Sequence, residues 1–215
     1  MIEVGVRLGP DGLARCAWAD STDDYRAYHD TEWGRPVRGE HALYERITLE
    51  AFQSGLSWLT ILRKRPAFRT AFAGFDPEVV AGFGMDDVER LLADPGIVRN
   101  RAKVLAAITN ARAVLALRDA TVGGLDALLW SFAPDPATRP VPRRLGDVPA
   151  RTPTTRPVPR RLGDVPARTP ESAALAKALK RCGFVFVGPT TAYAAMQACG
   201  LVDDHLAACH ARGRA

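Results

Sequence analysis

Apolar residues recur at three- and four-residue spacing along most of the chain, and two-residue alternation is scarce. The first helical stretch runs through Tyr25, Tyr28 and His29. Asp20 or Ser21 is its expected N-cap, and Trp33-Gly34 with Pro36 its end. A second covers residues 40–54, with Leu43, Ile47, Glu50 and Ser54 on one face, and Gly55 interrupts it. Ser57 caps a third, WLTILRKRPAFRTAF. Asp76-Pro77 opens a short helix with proline at its first position, and MDDVERLLAD forms another. DPGIVRNRAKVLAAITNARAVLAL reads as a turn followed by a long amphipathic helix, its stripe marked by Leu105, Ile108, Ala111 and Leu115. GGLDALLWSFA, ESAALAKALKRC, TTAYAAMQACG and DDHLAACH complete the helical set. With no βαβ alternation and no glycine-rich nucleotide loop, the expected class is all-α.

The stretch 134–170 breaks this pattern. It is rich in proline, with arginines in pairs, and TRPVPRRLGDVPARTP stands at 138–153 and again, identically, at 155–170. Such a segment cannot continue a helix, so a duplicated loop is expected. The repeat also changes the meaning of the net charge of +5, from 29 basic and 24 acidic residues. Removing residues 154–170 takes away four arginines and one aspartate, which leaves 25 against 23, or +2. Global basicity is therefore weak support for a nucleic-acid partner.

A hydrophobic fraction of 47% over 215 residues suffices for one sizeable core. One domain is expected over 15–210, with 1–14 as a disordered extension. No apolar run is long enough to span a membrane or serve as a signal peptide, so a cytoplasmic protein is expected. Cys16, Cys182, Cys199 and Cys209 then read as thiols or ligands rather than disulfides.

Four groups of residues carry candidate chemistry. Cys16 and His29 flank a twelve-residue gap, and His205 and Cys209 are four apart on an expected helix, facing the same way. Two Cys and two His make a closed tetrahedral zinc set, structural because no position stays open; core cysteines with unrelated histidines are the bland alternative. His210 is a substitute ligand. Glu50 falls in an apolar stripe, where a carboxylate must be protonated, paired or used. Trp18, Tyr25, Tyr28, Trp33 and Trp58 crowd the first 58 residues and offer flat faces for a base or for the core. In DPGIVRNRAKV a tight turn with Gly96 precedes a helix start carrying Arg99, Arg101 and Lys103, a setting that favours phosphate.

Taken together, RCAW, YRAYHDTEWG, LYERITLEAFQSGLSWLTILRKRPAFRTAFAGFDP, DPGIVRNRAKVLAAITNA, LWSF and LAKALKRCGFVFVGPTTAYAAMQACGLVDDH resemble the bacterial 3-methyladenine DNA glycosylase I family, a branch of the helix-hairpin-helix glycosylases. The likeness covers roughly residues 15–209 and breaks only at the duplicated loop. It implies a helix-hairpin-helix around 85–118 and a lobe from 15–60 plus 171–210 stapled by structural Zn2+ on Cys16, His29, His205 and Cys209. Glu50 becomes the catalytic carboxylate of the base pocket. Tyr28 and Trp58 become its aromatic walls, with Tyr25, Trp18 and Trp33 nearby. The resemblance makes Gly55 and Leu56 a wedge that fills the gap left by an extruded nucleotide, and places Gly96, Arg99, Arg101 and Lys103 on the DNA backbone. Double-stranded DNA containing alkylated bases is the implied partner, free 3-methyladenine the product, and the protein a monomer. Asp30 and Glu32 are left with structural roles. Asp126 lies near the position where related enzymes carry an aspartate, but a helix-start role suits it equally. Cys182 is expected to fill a helix end.

Overall fold

The computed structural model describes residues 5–134 and 167–213. Nine α-helices follow one another among these residues: α1 (Asp23–Thr31), α2 (Glu40–Gln53), α3 (Trp58–Ala71), α4 (Pro77–Ala81), α5 (Met85–Ala93), α6 (Arg101–Ala120), α7 (Gly124–Trp130), α8 (Pro170–Arg181) and α9 (Pro189–Ala198). Their ends follow local chemistry. Ser57 Oγ accepts from the Thr60 amide at 3.2 Å, Asp76 Oδ1 from Glu78 at 2.9 Å before Pro77, and Asn100 Oδ1 from Lys103 at 3.1 Å. Thr169 and Ser172 cap α8 reciprocally, with Pro170 at its first position. The final Thr-Pro of the second repeat copy thus starts α8; the rest of the expected loop, 135–166, lies outside the described residues.

Helix α2 is central. It packs against α3, α6, α7 and α9, and buries Leu43, Tyr44, Ile47, Leu49 and Phe52. Phe52, Phe68, Phe72 and Phe75 pack ring to ring between α2 and the end of α3. Tyr44 Oη donates to Ala107 O at 2.9 Å, which satisfies a buried hydroxyl and ties α2 to α6. Such a core stabilises by roughly 1.5–3 kcal/mol for each large side chain withdrawn from water.

Four expectations are corrected. Within the expected disordered extension 1–14, the described residues form regular structure: β1 (Val6–Leu8) and β2 (Ala14–Cys16) pair antiparallel with Val6 opposite Cys16. Three residues per strand give too short an alternation to read, and the hairpin is fixed by partners far along the chain, such as His210 N donating to Ala14 O at 2.8 Å. Residues 17–21 form a turn of 3-10 helix, so α1 begins after Thr22 rather than after Asp20 or Ser21. DDHLAACH is a series of turns, not a helix. Leu105 is 42% exposed; the buried face of α6 carries Lys103, Val104, Ala107, Asn110, Ala111 and Val114. Alanines and two polar residues hide that face from a hydrophobicity count. No described helix is long and apolar enough to cross a membrane.

Candidate active site and metal centre

The first site joins the two ends of the described chain. β2 delivers Cys16, α1 delivers His29, and the C-terminal turns deliver His205 and Cys209. Ligand atoms of Cys16, His29 and Cys209 lie within 4.8 Å of one another. Cys209 Sγ is 3.4 Å from His29 Nε2. His205 stands outside that tightest set, with its ring centroid 4.9 Å from that of His29. All four side chains are buried. The hydrogen bond between the two thiols pushes Cys209 well below an ordinary thiol and Cys16 well above it.

The histidine ring nitrogens report what this cluster fits. His29 Nδ1 is 2.8 Å from Asp30 Oδ1, and His205 Nδ1 is 2.8 Å from Asp203 Oδ1. A carboxylate on Nδ1 fixes the tautomer that leaves Nε2 as a lone-pair donor, the usual arrangement behind a metal-binding histidine. His205 Nε2 is buried and has no hydrogen-bond partner. The residues therefore fit a tetrahedral ion with two sulfur and two imidazole ligands. Close approach of His205 depends on Gly34, at φ +76°: a Cβ there would lie 2.6 Å from His205 Cε1. His210 is turned to Asp30, with Nε2 2.9 Å from Oδ1, and backs the cluster rather than joining the set of four. Asp30 is the hub of this lobe, since buried Arg15 also donates to it from Nε and Nη2.

The second site begins at the preceding residue of α1, Tyr28, which points about 100° away from His29. Tyr28 packs on Trp58 with ring centroids 5.4 Å apart, and both are buried. Glu50 faces them from α2 and is 6% exposed. Among the described residues no donor reaches its carboxylate. Burial pushes the Glu50 carboxyl up to about 8, opposed only by the charge of Arg46 one turn earlier. The same surroundings push the Tyr25 and Tyr28 phenols up, first by burial and then by the Glu50 charge. Cys199, pushed up to about 12 by burial, also feels Glu50. Trp58 Nε1 is buried without a partner. Glu50 thus lies close enough to Tyr25 and Tyr28 to act on both phenols, with Trp58 packed on Tyr28.

Trp18 joins the two sites: its ring lies 4.9 Å from Tyr25, 5.0 Å from Trp33 and 5.1 Å from His29. Trp33 leans to the metal side, 4.6 Å from the His205 ring. Asp30 and Glu32 serve the scaffold: Glu32 accepts from Arg46 and, with both oxygens, from Arg65. Arg46 and Cys199 were missed by sequence reasoning. Arg46 stands four residues before Glu50, a spacing that places both on one helical face; Cys199 carries no such signal.

The expected DNA contacts divide. Gly55 (φ +82°) and Leu56, which is 42% exposed, form a projecting turn after α2. Arg99 is exposed beside the start of α6, where the amides of Arg101 and Ala102 have no intrahelical acceptor. Arg101 is exposed and paired with Glu89. Two expectations are corrected. The Gly96 amide donates to Asp94 Oδ1 at 2.7 Å and is not free for phosphate. Lys103 is 7% exposed, and its ammonium binds main-chain carbonyls. Asp126 holds Arg38 and the Gly39 amide, and Cys182 ends α8.

Comparison with known proteins meets this geometry. Residues 18–212 match the family model described as Methyladenine glycosylase. The chain belongs to that family. It is 43% identical over 197 residues to DNA-3-methyladenine glycosylase 1 of Escherichia coli (strain K12), covering 92% of this chain and 96% of the relative. It is 42% identical over 196 residues to DNA-3-methyladenine glycosylase of Haemophilus influenzae, covering 91% and 96%. Among solved structures, a crystal structure of 3-methyladenine DNA glycosylase I superposes with a TM-score of 0.76 at 43% identity, covering 91% of this chain and 98% of that one. The Staphylococcus aureus 3-methyladenine DNA glycosylase I, solved to explain 3-methyladenine recognition, superposes at 0.74 with 33% identity, covering 92% and 95%. Methyladenine glycosylases of this family thus share with the chain both its mainly helical architecture and its length.

Proposed function

We propose that the chain is a DNA-3-methyladenine glycosylase of class I, a monofunctional enzyme of base-excision repair with a helix-hairpin-helix formed by α5 and α6. It extrudes an alkylated nucleotide from duplex DNA, hydrolyses the N-glycosidic bond, releases 3-methyladenine and leaves an abasic site. The observation that carries this reading is Glu50: a carboxylate buried between aromatic walls with no donor of its own. Methylation at N3 puts positive charge on adenine. That cation supplies the partner Glu50 lacks, and Tyr28 and Trp58 suit it through their π faces. Neutral adenine leaves the carboxylate unpaired, so selectivity arises from a penalty on the wrong base.

The chemistry asks little of an acid. When the C1′–N9 bond breaks, its electron pair moves onto the base and neutralises it. Positive charge develops on the sugar, water adds to C1′, and its proton leaves to solvent. Glu50 holds the base edge and stabilises the developing cation. Extrusion costs a few kcal/mol, least for a damaged base. Leu56 fills the gap, and Arg99 with the first amides of α6 holds backbone phosphate. The ammonium groups of Lys64 and Lys103 are engaged by main-chain carbonyls, which leaves neither as a lyase nucleophile.

Cys16, His29, His205 and Cys209 would hold zinc. A closed four-ligand ion supplies no reacting position; it fixes α1, and so the Tyr28 wall, against the C-terminal turns. The deciding experiment is base release from alkylated duplex DNA, read by chromatography alongside the metal content of the purified protein. Free 3-methyladenine with one zinc per chain is expected. Tight binding to damaged DNA without base release would replace the enzyme by a damage-binding module. Instant loss of turnover on chelation, with the fold intact, would make the ion a catalyst.

A further inference from the structure

Lys103 sits in the first turn of α6, its amide held by Asn100 Oδ1. Its Nζ lies 2.9 Å from Phe52 O and 2.6 Å from Ser54 O. Those carbonyls close α2 and open the turn that carries Gly55 and Leu56. Lys64 makes the converse contact: from α3, the helix that follows that turn, its Nζ reaches Pro95 O at 2.8 Å and Gly96 O at 3.2 Å. Each of the two turns is therefore held by a lysine from the helix that follows the other. A surface helix end needs no such device, because water satisfies its last carbonyls. Burying an ammonium is costly, and burial here lowers the Lys103 pKa.

We propose that Lys103 is a positioning residue that sets Leu56 in register with the α6 amides, so that grip on the phosphate and filling of the gap left by the extruded base happen together. The proposal rests on the glycosylase reading above.

The test is a double-mutant cycle of Lys103→Met and Leu56→Ala, with single-turnover base release and fluorescence of 2-aminopurine placed beside the lesion as readouts. Each single variant is expected to lose on the order of 10- to 100-fold in excision, together with most of the extrusion signal. The double variant is expected to be no slower than the worse single, because both changes break one device. Lys103→Met should bind free 3-methyladenine as the unaltered chain does, which a general loosening of the fold would not allow. Multiplicative losses, or a full extrusion signal in Lys103→Met, would overturn the role. Should Lys103→Met not fold, Lys103→Gln, whose amide still donates to one carbonyl, carries the same cycle. Failure of the unaltered chain to release base is a separate result: it sinks the glycosylase reading itself.

Discussion

The Cys/His cluster and the Glu50 pocket draw on adjacent residues of one nine-residue helix, His29 and Tyr28, which point about 100° apart, and they treat buried ionisable groups in contrary ways. In the cluster nearly every polar atom has a partner. Asp30 gathers Arg15, His29 and His210, and Asp203 holds His205. The buried histidine nitrogens left over are His205 Nε2, a candidate ligand atom, and Nδ1 of His210, which lies outside the set of four. In the pocket the carboxylate has no donor among the described residues, and burial displaces its acidity against the opposing charge of Arg46. A finished polar network specifies structure, whereas an unfinished one is retained because a ligand completes it. On the proposed reading, the contrast separates the part of the molecule that holds from the part that reacts.

The comparison is broken most sharply at Glu50. A Glu50→Gln variant keeps the shape and loses the charge. It should bind duplex as before and excise 3-methyladenine more slowly by roughly 10²- to 10³-fold, the scale of losing one preorganised electrostatic contact. Unchanged single-turnover excision would remove Glu50 from the chemistry. At the Cys/His cluster, chelation or Cys209→Ser should act on stability. The melting temperature should fall by on the order of 10 °C, given about 2–4 °C for each kcal/mol in a chain of this size. Excision measured on the fraction still folded should hold.

Acidity sharpens the same contrast. The free pocket favours protonated Glu50 up to about pH 8, while the cationic base favours the ionised form. Excision efficiency should therefore rise with pH, about tenfold per unit below pH 8, and level off above it. The sign for stability is opposite. The carboxyl is raised from 4.5 to about 8, so its contribution to the fold is full below 4.5 and is lost as pH climbs through 8. Glu50→Gln should flatten both curves. Arg46→Met should move the rise in excision to higher pH, since Arg46 is the one charge drawing the Glu50 carboxyl down; Tyr25, Tyr28 and Cys199 are the other titratable groups facing it. The smallest effect belongs to the duplicated loop. Deleting 154–170 joins Pro153 to Glu171, which restores the Thr-Pro-Glu-Ser that starts α8. Excision and its salt dependence should not change; a shallower salt slope would give the extra arginines a role on DNA.

Much of this was legible from residue order. The helices announced by caps, such as Ser57 and Asp76-Pro77, lie where local chemistry puts them, because a cap is a short-range interaction. Glu50 was visible as a carboxylate in an apolar stripe. What escaped depends on partners distant in the chain. The strand pair around Arg15 is held by Asp30 and by residue 210. The turns carrying His205 and Cys209 looked helical because i and i+4 spacing is the only local cue, yet Asp203 and the packing around Cys16 set their shape. Lys103 looked like a surface cation because a basic residue at a helix start usually is one. Its acceptors stand 49 and 51 positions earlier.

The meeting of Cys16 and His29 with Cys209 has a consequence for synthesis. During translation the segment through Glu50 leaves the ribosome long before residue 209, so α1 waits without its anchor while most of the polypeptide is still being made. A product that terminates early would carry the aromatic wall and the carboxylate but nothing to hold them in register. Copies that stop before residue 209 would lack the contact that joins His29 to Cys209 across 180 positions of sequence.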